Sequence, residues 1–246
     1  MPDHPTAPGI TAAFRARWQA WICQVPSQCA VCRAWPAQRV CSACVARFAQ
    51  LQHRCDTCAL RMPQGVRRCG ACLRTPPPLD LCLAAVDYGY PWSQAVAQFK
   101  FQGDPGWAGP LAALLRRLPA AEAALALADC VLPVPLAPGR LRERGFNQAL
   151  QLARCLAPAK VQDQWLLRLR ATPDQHTLAR AQRLRNLQGA FAVEPLHLQQ
   201  LQGRRVVLVD DVMTTGATFH AAAGVLRAAG AQHIAALAVA RTPAPT

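Results

Sequence analysis

Past residue 80 the chain alternates between short apolar runs and longer amphipathic stretches. Leu81–Tyr88, Cys130–Val134, Arg204–Val209 and Ile234–Ala240 have the length and composition of strands. Between them, Ser93–Phe101, Leu111–Leu118, Glu122–Leu127, Phe146–Leu156 and Gly216–Ala229 carry helical periodicity, and Gly230 stops the last of these. Gly103-Asp104-Pro105-Gly106 reads as a turn. Strands alternating with helices predict an α/β domain with a parallel, doubly wound sheet. The run Val206–Val209 is apolar at every position, the signature of a strand buried on both faces.

The pattern before residue 80 is different. Phe14, Trp18, Trp21 and Ile22 fall at helical spacing within Thr11–Ile22, so residues 1–28 read as an arm followed by a short docking helix. From 29 to 75 apolar residues thin out and cysteines take over. Thr75-Pro76-Pro77-Pro78 forms a stiff spacer, because consecutive prolines favour extended geometry. The expected organisation is therefore an arm (1–28), a cysteine module (29–75) and an α/β domain (79–246).

Eight of the twelve cysteines lie in four CxxC pairs: Cys29/Cys32, Cys41/Cys44, Cys55/Cys58 and Cys69/Cys72. The segment has too little apolar side chain to fold by burial alone, and structural zinc supplies the missing stability through tetrahedral thiolate sites. Sequential pairing gives one site from Cys29, Cys32, Cys41 and Cys44 and a second from Cys55, Cys58, Cys69 and Cys72; interleaved pairing is the alternative. A redox role fits less well, since such sites use a single CxxC opening a helix. The remaining Cys23, Cys82, Cys130 and Cys155 are expected in the core.

The most informative segment is Val206-Val207-Leu208-Val209-Asp210-Asp211-Val212-Met213-Thr214-Thr215-Gly216-Ala217-Thr218. A buried strand ends in two adjacent carboxylates, and a Thr/Gly loop then opens a helix. Such a loop offers free backbone N–H groups and the positive end of a helix dipole to an anion. Gly216 lets the backbone approach a phosphate closely. Carboxylates repel phosphate, so Asp210 and Asp211 suit the vicinal hydroxyls of a sugar. Open α/β sheets bind ligands at the carboxyl ends of their strands, where this loop falls.

Two basic stretches accompany the loop. After the candidate strand at 130–134, Arg140, Arg142 and Arg144 crowd into five residues before a helix that begins with Asn147 and Gln148. Guanidinium groups match phosphate oxygens two at a time, so this is a candidate pyrophosphate site; a solvated basic turn is the plainer reading. Thr172–Asn186 carries Arg180, Arg183 and Arg185. By its residues it reads as a surface helix with an arginine face; in type I phosphoribosyltransferases, which the 206–218 segment resembles, a loop in this region closes over the site, and the resemblance implies that alternative.

Charge sharpens this picture only partly. The chain of 246 residues has a formal net charge of +14, and Lys100 and Lys160 are its only lysines. That balance attracts polyanions, nucleic acid among them. No stretch approaches the roughly 20 apolar residues of a membrane span, and the first residues lack the apolar core of a secretory signal. The expectation is a protein of the cytoplasm, without stable membrane insertion, where CxxC pairs serve as metal ligands.

The segment 206–218 closely resembles the binding motif of type I phosphoribosyltransferases. The order of a double zinc ribbon, Arg144-Gly145-Phe146-Asn147-Gln148, Arg185-Asn186 through Gly189-Ala190-Phe191 and the 206–218 loop resembles the ComF family of bacterial phosphoribosyltransferase-like proteins from Cys29 to Arg241. The resemblance implies a type I phosphoribosyltransferase fold that binds phosphoribosyl pyrophosphate with Mg²⁺. It assigns Asp210 and Asp211 to the ribose hydroxyls and to catalysis, and Val212, Met213, Thr214, Thr215, Gly216, Ala217 and Thr218 to the rest of the binding motif. It places Arg140, Arg142, Arg144 and Lys100 at the pyrophosphate. It further implies service in DNA uptake during natural transformation, alongside single-stranded DNA and other uptake proteins. The alternatives are a sensor of the same ligand without turnover and a single-stranded-DNA adaptor.

Overall fold

The computed structural model describes residues 27–35, 37–169 and 189–243. The expected helix at Thr11–Ile22 and the basic stretch Thr172–Asn186 lie outside the described residues. The chain falls into two compact units, residues 1–48 and 49–246. The first contains α1 (Ser42–Phe48), preceded by an isolated antiparallel bridge between Ser27 and Ala37.

The second unit is built on a four-stranded, wholly parallel sheet. Its strands are β1 (Leu81–Asp87), β2 (Cys130–Pro133), β5 (Arg205–Met213) and β6 (His233–Arg241), in the order β1-β6-β5-β2. Helix α2 (Gly70–Arg74) precedes β1. Between β1 and β2 run α3 (Trp92–Phe101), α4 (Ala108–Arg116) and α5 (Pro119–Leu127). Between β2 and β5 come α6 (Pro138–Arg144), α7 (Gln148–Leu156) and an antiparallel pair, β3 (Leu166–Arg168) with β4 (Phe191–Val193). Helix α8 (Ala217–Ala228) joins β5 to its parallel neighbour β6.

Burial follows from the pleat, which sends successive side chains to opposite faces. Leu132, Leu208, Ala236 and Ala238 pack with Phe219, Ala222 and Leu226 of α8. Val131, Val207, Val209 and Leu237 are also buried and point the other way. Every position of β6 from Ile234 to Arg241 is buried, so the apolar run at the end of the chain is the centre of the sheet.

Three features differ from the sequence expectation. Strand β5 does not stop at Val209 but runs to Met213, because β6 keeps pairing with it through Met213 opposite Arg241. The arginine-rich segment forms the short helix α6 rather than a basic turn: Pro138 sits in its first turn and Gly145, at φ 76°, caps its end. Strands β3 and β4, three residues each, carry too short a period to register in the sequence. Cys82 and Cys130 are buried as expected, whereas Cys155 is exposed; Cys23 lies outside the described residues.

Candidate functional site

Strand β5 overhangs the sheet. Its last residue paired with β2 is Val209, opposite Pro133, so Asp210 to Met213 extend past the end of β2 at the carboxyl edge. Beyond the end of β2 the two carboxylates therefore open onto a cleft of about 270 Å³, while β6 still pairs with β5 on its other side. Asp210, Asp211, Val212, Thr214 and Thr218 line it from β5, the following loop and the first turn of α8; Lys100, Arg140, Arg144 and Arg168 line it from α3, α6 and β3.

The pair is electrostatically uneven. Asp211 is buried and ion-paired with Lys100 Nζ at 2.8 Å. Burial and the neighbouring Asp211 charge push Asp210 up to about 7, against the pull of Lys100. The Asp210 carboxylate accepts a hydrogen bond from the backbone N–H of Asp211 at 2.8 Å. Lys100 thus pairs with Asp211 and offsets only part of the charge repulsion that Asp210 meets.

The loop after β5 needs its glycine. Gly216 caps α8 at φ 83°, and a Cβ there would lie 2.5 Å from Met213 Cε and 3.0 Å from His220 Nε2. The Thr215 hydroxyl accepts from Ala217 N–H at 3.3 Å, which fixes the turn into the helix. Of motif residues 212 to 218, Val212, Thr214 and Thr218 line the cleft. Met213 is buried in the core against Cys82, with sulfurs 3.4 Å apart, and Ala217 is buried as well.

Helical geometry sorts the three arginines of α6. Arg140 and Arg144 are four residues apart, lie on one face and line the cleft; Arg142 is exposed and lies outside the lining. Arg144 Nη1 donates to Gln148 Oε1 at 3.1 Å and stacks over Phe101 at 5.2 Å. Asn147 caps α7, accepting from Ala149 and Leu150 N–H, and its side-chain nitrogen donates to Val134 O at 3.1 Å, tying α7 to the end of β2.

Arg168 escaped the sequence reading. Its side chain lies over the Phe191 ring at 5.3 Å and lines the cleft across from Asp210. Burial lowers its pKa, with Arg140 adding to the shift and Asp210 opposing it. It stands alone in a three-residue strand, so only the pairing of β3 with β4 reveals its place.

The cysteines group sequentially, not in the interleaved order. The sulfurs of Cys29, Cys32, Cys41 and Cys44 lie within 4.8 Å of one another, as do those of Cys55, Cys58, Cys69 and Cys72. Cys29–Cys44 and Cys32–Cys41 are 3.9 and 3.6 Å apart, and Cys58–Cys69 are 3.6 Å apart. Four sulfurs at about 2.3 Å from a tetrahedral zinc stand about 3.8 Å from each other, so both groups fit a structural zinc. Backbone N–H groups of Cys41 and Cys69 donate to Cys29 and Cys55 sulfur at 3.4 and 3.3 Å. Burial opposes ionisation of Cys55, yet such donors bring its thiol down to about 6; burial and the neighbouring sulfurs push Cys44 up to about 12. Four thiolates this close need a cation among them.

Comparison with known proteins agrees with this architecture. Residues 170–246 match the phosphoribosyl transferase domain family. DNA utilization protein YhgH of Salmonella typhi is 36% identical over 176 residues, spanning 69% of this chain and 76% of the relative. Competence protein F of Haemophilus influenzae is 33% identical over 177 residues, with the same coverage. The chain belongs to the ComF family. Competence protein ComFC of Bacillus subtilis, another member, is 36% identical over 93 residues, or 38% of this chain. A ComF-family phosphoribosyltransferase domain and two zinc-type cysteine groups thus meet in one polypeptide. Among the described residues, no helix is long and apolar enough to cross a membrane.

Proposed function

We propose that the cleft binds phosphoribosyl pyrophosphate with Mg²⁺ and that the protein uses it in handling incoming DNA in the cytoplasm. The observation that carries this reading is the pair Asp210 and Asp211 on the overhang of β5, followed directly by a loop that turns at Gly216 into α8. The carboxylates accept the ribose hydroxyls. The loop and the first turn of α8 face the 5′-phosphate with N–H groups and with the hydroxyls of Thr214 and Thr218. Arg140, Arg144 and Arg168 hold the pyrophosphate with charge-assisted hydrogen bonds. Lys100 balances Asp211.

A proton-hungry Asp210 beside Asp211 also suits a dication. Mg²⁺ would be held through these carboxylates and would add positive charge for the departing pyrophosphate. Transfer to an acceptor nitrogen breaks the C1–oxygen bond, and the arginines stabilise the charge that develops on the leaving group. DNA enters the reading through the relatives' names and the net charge of +14.

A second reading is a ligand sensor without turnover. It is favoured by one observation: the acidic residues among the described lining are Asp210 and Asp211, both engaged at the ribose, which leaves no separate carboxylate there to deprotonate an acceptor.

Calorimetric titration of phosphoribosyl pyrophosphate with Mg²⁺ tests the shared core of both readings. Binding by the wild type that disappears in Asp210→Asn/Asp211→Asn is the expected result; equal binding by both proteins would move the site elsewhere. Release of pyrophosphate on adding single-stranded DNA or a free base would then separate enzyme from sensor.

A further inference from the structure

We infer that Arg241 is a positioning residue that couples the second cysteine group to the phosphate loop, so that ligand affinity depends on the metal held by Cys55, Cys58, Cys69 and Cys72. This rests on the ligand reading above.

Arg241 ends β6, opposite Met213 of β5 and Asp87 of β1. Only 4% of it is exposed. A buried guanidinium is tolerated only where its donors are satisfied. Its Nε donates to Cys58 O at 2.8 Å. Its Nη1 donates to Met213 O at 3.3 Å and to Thr214 O. One planar group thus holds the carbonyl of Cys58 on one side and two consecutive carbonyls, at the end of β5 and the start of the loop, on the other.

Those loop contacts have a consequence for the anion site. A trans peptide points its C=O and the following N–H in opposite directions. Met213 O is also held by Thr242 N–H at 3.0 Å, and drawing Thr214 O inward to Arg241 turns the N–H of Thr215 away from it. The Thr242 hydroxyl donates to Thr214 O at 3.3 Å and reinforces the same orientation.

The other end of the brace is as firm as the metal. Cys58 closes a turn in which Ala59 N–H donates to Cys55 O at 2.9 Å and Ala59 takes φ 56°. The group shares one apolar cluster with Cys82, Met213, Ala217 and Phe219. Arg54 and Arg61, paired across a bridge, both grip Asp87 at the end of β1, Arg54 at 2.8 Å. Asp56 O accepts from Cys82 N–H at 2.6 Å. With zinc in place, the Cys58 carbonyl is a fixed acceptor. Without it, crowded thiols lose their common centre and the carbonyl is free to shift, taking Arg241 and the loop with it.

Coupling of this kind is reciprocal: if zinc tightens ligand binding, the ligand tightens zinc binding by the same factor. The test measures zinc partition between the full-length protein and a zinc-selective chelator, with and without phosphoribosyl pyrophosphate and Mg²⁺. It is run on the wild type, on Cys29→Ser/Cys32→Ser to isolate the second group, and on Arg241→Lys. The ligand is expected to raise zinc retention at the second group at least about fivefold, the lower end of ordinary coupling, and to leave the first group's zinc unchanged. In Arg241→Lys, whose ammonium lacks the planar fork, the effect should fall below about twofold. Calorimetric ligand binding by the wild type with no change in zinc partition would overturn the coupling and leave the ligand site standing. Absence of calorimetric binding would remove the ligand site, and the inference with it. The wild-type comparison decides the matter even if Arg241→Lys fails to fold.

Discussion

Two carboxylates side by side at a strand end repel each other, and one lysine has to serve both. Asp211 takes the close contact with Lys100, and Asp210 is left the harder to ionise, with its pKa pushed up to about 7 by burial and by Asp211. The sign of the consequence is fixed. A carboxyl whose folded pKa exceeds its unfolded value holds a proton longer in the folded state, so its contribution to stability is present at low pH. That contribution is lost as pH rises from the ordinary carboxylate range through about 7. Asp210→Asn removes the penalty. In ligand-free protein it should be more stable than the wild type at pH 8 by on the order of 2 kcal/mol, with the gap shrinking towards pH 4, as read by urea denaturation. The arginines make a second prediction at this scale. Arg140→Ala should weaken binding of phosphoribosyl pyrophosphate about tenfold or more by calorimetry, since a charged hydrogen bond contributes about 1.5–3 kcal/mol. Arg142→Ala should change it less than about twofold, because Arg142 lies outside the cleft. From the sequence alone the two were equivalent, since the spacing within a segment tells nothing of its facing until the segment is known to be helical.

Among the elements, the strand–loop–helix of β5 and α8 was the most legible, because an apolar run, paired acids and a Thr/Gly turn each constrain the same backbone. Its boundary was misplaced for a physical reason. Asp210 and Asp211 break the apolar run, but ladder hydrogen bonds belong to the backbone, and β6 stays apolar to Ala240 and keeps β5 paired to Met213. Helix α6 carried its own signals in Pro138 and Gly145, which the density of arginines obscured. Strands β3 and β4 gave no period to read. Gly216 is where the element is least tolerant. Gly216→Ala combines a positive φ with a Cβ 2.5 Å from Met213 Cε. It should destabilise the protein by about 1–3 kcal/mol in denaturant titration and weaken ligand binding as the loop shifts.

For the whole molecule, the sequence disclosed the parts more readily than their grouping. The α/β architecture and the parallel sheet follow from periodicity, and the spacing of the CxxC pairs allowed two groupings of the cysteines, of which the structure takes the sequential one. That the second cysteine group packs into the same cluster as β1, β5 and α8 follows from neither, because it depends on contacts such as Arg241 to Cys58 across 183 residues of sequence. Metal analysis should find two zinc ions per chain, falling to one in Cys29→Ser/Cys32→Ser. The central claim concerns the carboxyl edge of the sheet, and a crystal structure of the protein with phosphoribosyl pyrophosphate and Mg²⁺ tests it most directly. The account predicts the ribose hydroxyls at Asp210 and Asp211, the 5′-phosphate against Thr214–Thr218 and the pyrophosphate between Arg140, Arg144 and Arg168. Density for the ligand elsewhere, with those carboxylates and that loop untouched, would contradict it.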